Sequence, residues 1–259
     1  MPVYQDQMNR LVEVSSTPKR IISIVPSQTE LLFDLGLDNE LIGITKFCIH
    51  PADKIKLKVK IGGTKALNIK LINELKPDLI IGNKEENERG QVEELMQSFP
   101  VWMSDIADLE GAIDMIKRVG VLVGKSAKAE ILSEAINSRF DKLNVRLPDL
   151  RVAYLIWRKP YIVAGKGTFI DTLLQKCGLI NAFDIERYPE ITIEQLLNIK
   201  PEIILLSSEP YPFKEKHIAE FKALLPGSII KLVDGELFSW YGSRLLYAPA
   251  YFRELVGGL

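Results

Sequence analysis

Two histidines and two cysteines are all that the 259 residues offer for gripping a metal or closing a disulfide. So small a set excludes a disulfide framework, and no C-x-x-C or Cys/His zinc spacing exists. A metal hydrolase would need more histidines or a carboxylate cluster in their place. Charge of one sign is also lacking. The 33 basic and 34 acidic residues leave a formal net charge of −1, so nothing in bulk electrostatics draws the chain to nucleic acid or an anionic membrane. No apolar run is long enough to span a bilayer. G-x-S-x-G, the P-loop and G-x-G-x-x-G are missing, and Gly165-Lys166-Gly167 is too short for a phosphate loop. The first stretch, MPVYQDQMNRLVEVSSTP, carries Asp6, Arg10 and Glu13 and no apolar core, so no signal peptide is expected within it. That leaves the cytoplasm, or an export segment outside the stretch read here. Of the cysteines, Cys177 lies in the apolar run LLQKCGL and is expected to be a buried small hydrophobe, whereas Cys48 lies in a more polar loop.

What is present is ordinary in bulk and organised in detail. Hydrophobic residues make up 47% and charged residues 26%, enough for one large core or two lobe-sized ones. Residues 68–82 read NIKLINELKPDLIIG and residues 192–206 read TIEQLLNIKPEIILL, an offset of 124 positions. Ile69 matches Ile193, Lys76 matches Lys200, Pro77 matches Pro201 and Ile80 matches Ile204; Asp78 is replaced by Glu202 and Leu79 by Ile203. Each copy reads as a short amphipathic helix, a Lys-Pro-acid corner and a buried strand. Proline disfavours helix at the residue before it, so the helix must stop at the corner. The apolar run that follows is too short for a helix and suits a strand covered on both faces. A duplicated helix–corner–strand unit predicts two similar α/β lobes, with a ligand cleft between them.

The remaining elements follow the same alternation. The first lobe, residues 1–107, begins with a strand at 20–25. A capping box of Ser27 and Glu30 predicts a helix starting at Ser27 and ending at Gly36. Further strands are expected at 41–44 and 100–104, and a helix near 90–98. Residues 108–147 form a connecting helical segment, with Ile113, Ile116, Val119, Leu122, Ile136 and Phe140 at helical spacing and a corner at Gly124, Lys125 and Ser126. The second lobe, residues 148–259, opens with the strand RVAYLIW at 151–157 and a hairpin through KPYIVAG. A helix near 214–224, a strand near 229–233 and a final helix ending near 256 follow. Leu173, Leu174, Gly178 and Leu179 echo Leu31, Leu32, Gly36 and Leu37. Alternating strands and helices predict parallel sheets, whose carboxyl edges face ligands.

The loops at those edges supply the candidate ligand contacts: Ser27, Phe47, His50, Thr64 and Lys65 in the first lobe, and Trp157, Arg158, Tyr161, Arg187, Tyr188, Trp240, Tyr241 and Arg244 in the second. Aromatic residues and arginines gather in the second set, which suits a large, partly planar, polar-edged ligand. Trp157 and Trp240 equally suit packing at sheet ends. His50 is a candidate metal contact or a solvated loop residue, and His217 is expected at the surface. The run Glu85, Glu86, Asn87, Glu88 reads as a solvated face.

RIISIVPSQTELLFDLGL, a loop ending in His50-Pro51, and LNIKLINELKPDLIIG together resemble the substrate-binding proteins of ABC importers for cobalamin, haem and ferric siderophores. The likeness runs from about Lys19 to the end of the chain. It implies two similar parallel-sheet α/β lobes joined by one long backbone helix, a fold of the class III periplasmic-binding-protein kind. It implies a binding protein, not an enzyme, that holds a metal chelate such as cobalamin or a ferric siderophore as ligand, with no cofactor of its own. In the cobalamin-binding members an aromatic-Pro pair stands where His50-Pro51 stands here. An aromatic touching the corrin aligns with Tyr161, a tryptophan aligns with Trp240, and a first-lobe tryptophan is replaced by Thr64. A second disulfide cysteine of those members is absent, so Cys177 should be free. The implied partner is an ABC transporter permease, met by one surface acid on each lobe: Glu86 or Glu88 in the first, Glu209 or Glu215 in the second. The implied protein is a monomer, periplasmic or lipid-anchored, with a small conformational change on binding because a continuous helix resists bending.

Two other readings compete. A cytoplasmic enzyme or chaperone acting on a metal chelate or small metabolite would suit the missing export signal and the free cysteines. A metallocluster scaffold like the nitrogenase components shares such lobes but calls for more cysteine ligands than two.

Overall fold

A computed structural model describes residues 2–143, 145 and 149–259. The expected lobe boundary at 147/148 falls outside the described residues. The chain divides into two compact units: one of residues 1–106, 110–136 and 241–244, the other of residues 107–109, 137–240 and 245–259. The division runs through the connecting helical segment, and four residues near the end of the chain belong with the first unit.

The first unit begins with a hairpin, β1 (Val3–Gln5) and β2 (Leu11–Glu13), which the sequence reading did not anticipate. Its turn is organised by Asp6, fully buried, which accepts from the backbone of Met8 and Arg10 and from the Arg10 guanidinium. Next come β3 (Ile21–Ser23), α1 (Pro26–Asp34), β4 (Leu41–Ile44) and three two-residue strands, β5 (Val59–Lys60), β6 (Gly62–Gly63) and β7 (Ala66–Leu67). Then follow α2 (Ile69–Leu75), β8 (Leu79–Asn83), α3 (Arg89–Met96) and β9 (Val101–Ser104). The five-stranded sheet has the order β5-β4-β3-β8-β9 and is parallel throughout. Ile22, Ile24, Ile72, Ile80, Val92 and Leu95 form a core between strands and helices.

The helix expected from Ser27 begins one residue earlier. Pro26 occupies its first turn, Val25 is the cap residue, and no side chain caps the end. Proline suits that place because its missing N–H would be unpartnered there anyway. Ser27 is thereby drawn inside the helix, so the expected capping box does not form.

The connecting segment forms two helices, α4 (Leu109–Leu122) and α5 (Ser126–Asp141), rather than one. Gly124, with φ of 68°, sits in the left-handed region where only glycine is at ease, and it breaks the segment at the expected corner.

The second unit contains β10 (Arg151–Trp157), β11 (Tyr161–Val163), α6 (Phe169–Lys176), β12 (Ile180–Asn181), β13 (Glu190–Ile191), α7 (Ile193–Ile199), β14 (Ile203–Ser207), α8 (Glu215–Leu224), β15 (Ile229–Val233), α9 (Gly235–Ser239) and α10 (Ala248–Gly257). Its sheet runs β13-β11-β10-β14-β15, with β12 also on β10. It is mixed, not purely parallel: β10, β12, β13, β14 and β15 run in one direction, while β11 runs antiparallel to its neighbours β10 and β13. Phe183, Leu196, Ile204, Leu206 and Phe221 anchor its core.

The two copies of the repeat match closely. Helices α2 and α7 are both seven residues long, and strands β8 and β14 both five. Asn68 and Thr192 cap the helices by accepting from Leu71 and Gln195 backbone N–H groups. Lys76 and Lys200 close them in the same left-handed conformation, φ 46° and 48°. The acid after each proline meets the start of the neighbouring strand. Asp78 accepts from Lys19 and Arg20 N–H at 2.7 and 2.9 Å, and Glu202 accepts from Arg151 N–H at 2.9 Å.

Candidate functional site

In the first unit the carboxyl edge of the sheet is a polar network of side chains bonded to one another. Gln28 Nε2 donates to Ser104 Oγ at 2.5 Å, and Asn83 Nδ2 donates to the same hydroxyl at 2.9 Å. Asn87 Nδ2 donates to the carbonyls of Ile24 and Thr64 at 3.0 and 3.1 Å. Lys65 Nζ donates to the Glu85 and Asn87 carbonyls. Cys48 is buried, not loop-exposed, and its thiol donates to Thr29 Oγ1 at 3.2 Å. Burial pushes that thiol's pKa up.

The segment 241–244 adds to this edge. Arg244 pairs with Glu30 through Nε and Nη2 at 2.9 and 2.7 Å, and Tyr241 donates to Glu86 Oε1 at 2.6 Å. Burial raises the Glu30 pKa although Arg244 opposes the shift. Ser27 and Ser243 each bury a hydroxyl that has no partner among the described residues. Phe47 is 52% exposed, and His50 is partly buried. Among the described residues no three His, Cys, Asp or Glu side chains converge to hold a metal.

The second unit's carboxyl edge is built of rings and charge. Trp157, at the end of β10 and 38% exposed, meets Tyr211 edge-on at 5.8 Å between centroids. Tyr211 packs on Phe213 at 4.8 Å and on His217 at 5.7 Å. Tyr161 meets Phe221 at 5.6 Å and donates its hydroxyl to Glu220 Oε1 at 2.9 Å. Arg158 Nη2 bridges both Glu220 oxygens at 3.0 and 2.8 Å. Burial opposes ionisation of Glu220, but these hydrogen bonds hold its pKa below the usual carboxylate value. The Tyr161 phenol is pushed up, first by burial and then by Glu220.

His217 is buried, not at the surface as expected. Its Nδ1 accepts the Lys214 N–H at 2.8 Å, which places the neutral imidazole's proton on Nε2, 3.4 Å from the Tyr211 hydroxyl. Burial, and then the charge of Arg158, lowers its pKa. The histidine thus replaces a cap at the start of α8 and fixes the turn that carries Tyr211.

The other candidates in this unit lie on different turns. Arg187 donates to the Gly167 carbonyl at 3.0 Å and lies over the Tyr188 ring at 5.9 Å. Trp240 is buried, and its indole N–H donates to Glu209 Oε1 at 2.8 Å. Glu209 also accepts from Ser239, and burial raises its pKa, so it is drawn inward rather than presented as a surface acid. Glu215 is exposed at the start of α8. Glu88 is exposed but caps α3, accepting from Gly90 and Gln91 N–H, and those bonds lower its pKa. Both cysteines are free and buried; burial pushes the Cys177 thiol up to about 12.

Tyr211, Phe213, His217, Glu220 and Phe221 of the second cluster are not among the candidate contacts read from the sequence. Glu220 lies inside an amphipathic helix and looks like any solvated acid, so no local signal marks it. His217 stands among Lys214, Glu215, Lys216 and Glu220, so its local sequence gives no sign of burial.

The chain is similar to proteins of known role. The Vitamin B12-binding protein of Vibrio cholerae serotype O1 strain O395 is 30% identical over 202 residues, 73% of this chain and 70% of the relative. Among solved structures, the periplasmic vitamin B12 binding protein BtuF of Vibrio cholerae superposes with a TM-score of 0.79 at 24% identity, covering 93% of this chain and 97% of that one. The periplasmic heme-binding protein RhuT of Roseiflexus sp. RS-1 gives a TM-score of 0.79 at 19% identity, covering 92% and 99%. These structural likenesses establish the α/β fold of the class III kind. The Periplasmic binding protein family profile matches residues 21–224, most of the chain, and on that match this chain belongs to the periplasmic binding protein family.

Proposed function

We propose that this chain is the ligand-binding component of an ABC importer for a metal chelate: a corrinoid such as cobalamin, haem, or a ferric siderophore. The observation that carries the reading is the cluster at the carboxyl edge of the second unit's sheet. There Trp157, Arg158, Tyr161 and Tyr211 converge on the ends of β10 and β14. Ring edges and faces beside one guanidinium suit a broad planar chelate with polar substituents. The relatives named for vitamin B12 and heme support that ligand class. The protein acts as a monomer in the periplasm, carries its ligand as cargo and not as a cofactor, and delivers it to a permease. Glu86, Glu88 and Glu215 are the acids offered to that permease, Glu215 being the exposed one of the two second-unit candidates.

Calorimetry and thermal melting with aquocobalamin, hemin and a ferric hydroxamate test the reading. One of the three is expected to bind and to raise the melting temperature in proportion to the logarithm of its concentration. No heat and no melting shift with any of them would overturn it.

A further inference from the structure

Arg158 is only half committed. Its side chain is 22% exposed, and its carboxylate partner, Glu220, is 30% exposed. A single nitrogen, Nη2, makes both contacts to that carboxylate. Nε is buried without a partner among the described residues, and no bond of Nη1 joins the pair. A guanidinium matched to a carboxylate ordinarily uses two nitrogens in a side-by-side fork. Here the fork is turned, and Tyr161 takes part of the same carboxylate's accepting capacity. The surroundings add positive charge. Lys214 and Lys216 act with Arg158 on His217, and Glu220 is the acid that opposes them there. Beside this lies the exposed part of Trp157.

We infer that Arg158 reads an oxyanion on the bound chelate, a carboxylate or a phosphate at its periphery, and that Glu220 holds the guanidinium in place until the ligand arrives. This rests on the metal-chelate reading above and sharpens it: the second unit selects ligands by a negative substituent beside a planar body. Arg158 gains the partners its fork lacks, while Tyr161 keeps Glu220 occupied.

Two ligand pairs test it, each differing in its oxyanion: hemin against hemin dimethyl ester, and cyanocobalamin against dicyanocobinamide, which lacks the phosphodiester. The wild-type protein should prefer the oxyanion member of at least one pair by about tenfold or more, the scale of one charge-assisted hydrogen bond. In Arg158→Met the affinity for the oxyanion member should fall by more than that for its counterpart, so that the preference collapses. Arg158→Lys should keep part of it, since it keeps the charge without the fork, and it answers the question if the methionine variant does not fold. Glu220→Gln should widen the preference by removing the competing carboxylate. A wild-type protein that binds the chelates with no oxyanion preference, or an Arg158→Met variant that weakens both members of a pair equally, overturns this inference alone. A wild-type protein that binds none of the four but binds the ferric hydroxamate overturns this inference alone, and one that binds neither the four nor the hydroxamate overturns the functional reading with it.

Discussion

The two carboxyl edges begin from the same duplicated scaffold and end with opposite characters. In the first unit, Gln28, Asn83, Asn87 and Ser104 satisfy one another and nearby carbonyls, and the two ionic groups Glu30 and Arg244 pair through two nitrogens. In the second, Trp157 stands 38% exposed and Arg158 makes its ion pair through one nitrogen. Between them the helix–corner–strand units remain nearly superimposable in length, cap and turn. Duplication has preserved what builds the sheet and released what sits at its end. The second edge is therefore where recognition is expected, and the first where rigidity is.

The comparison can be broken at several depths. The largest effect is expected in the shared cores. Ile80 and Ile204 occupy the same place in β8 and β14, and both are fully buried. Ile80→Ala and Ile204→Ala should each destabilise by about 2–5 kcal/mol in denaturant unfolding. Markedly unequal costs would show that the twin cores are packed differently.

Acid should separate the units next. The His217 pKa is lowered in the folded state, first by burial, below its usual value near 6.5. The neutral form therefore stabilises the fold. That stability is present above the unfolded value and is lost as pH falls through the lower folded one. The melting temperature should drop as pH falls below about 6.5, and His217→Gln should flatten that part of the profile.

The acid corner offers a smaller contrast. Asp78 accepts two backbone N–H groups and Glu202 one. Asp78→Ala should cost about 1–2 kcal/mol and Glu202→Ala about half of that in the same unfolding assay. Smallest of all, Lys76→Gly and Lys200→Gly should each stabilise by about 0.5–1 kcal/mol by easing the left-handed turn.

How much of this was legible in the sequence depends on the range of the forces involved. The repeat, the strands at 41–44, 151–157 and 229–233, and the Gly124 corner are set by neighbours within a few residues, and each appears where the pattern placed it. The start of α1 lies one residue before the expected place because Ser27 and Glu30 imitate a capping box while Pro26 competes for the first turn. The hairpin near the beginning of the chain is held by Asp6, whose buried ionic turn leaves no periodic trace. The site divides the same way. Trp157, Arg158 and Tyr161 follow a strand, so strand end and hairpin place them together. Glu220 reaches Tyr161 across 59 positions, through folding alone, and His217 meets Tyr211 six positions away. Glu209 looked like a surface acid and is instead the acceptor for the Trp240 indole.

The central claim is that the second unit's exposed rings carry the ligand, and Trp157→Ala is its most direct test. Trp157 should be replaced singly and the variant titrated with whichever chelate the wild-type protein binds, following calorimetric affinity and melting temperature together. We expect affinity to fall by about tenfold or more while the ligand-free melting temperature stays within a few degrees, because the ring is 38% exposed and its loss leaves little cavity. Undiminished affinity in that variant would contradict the account.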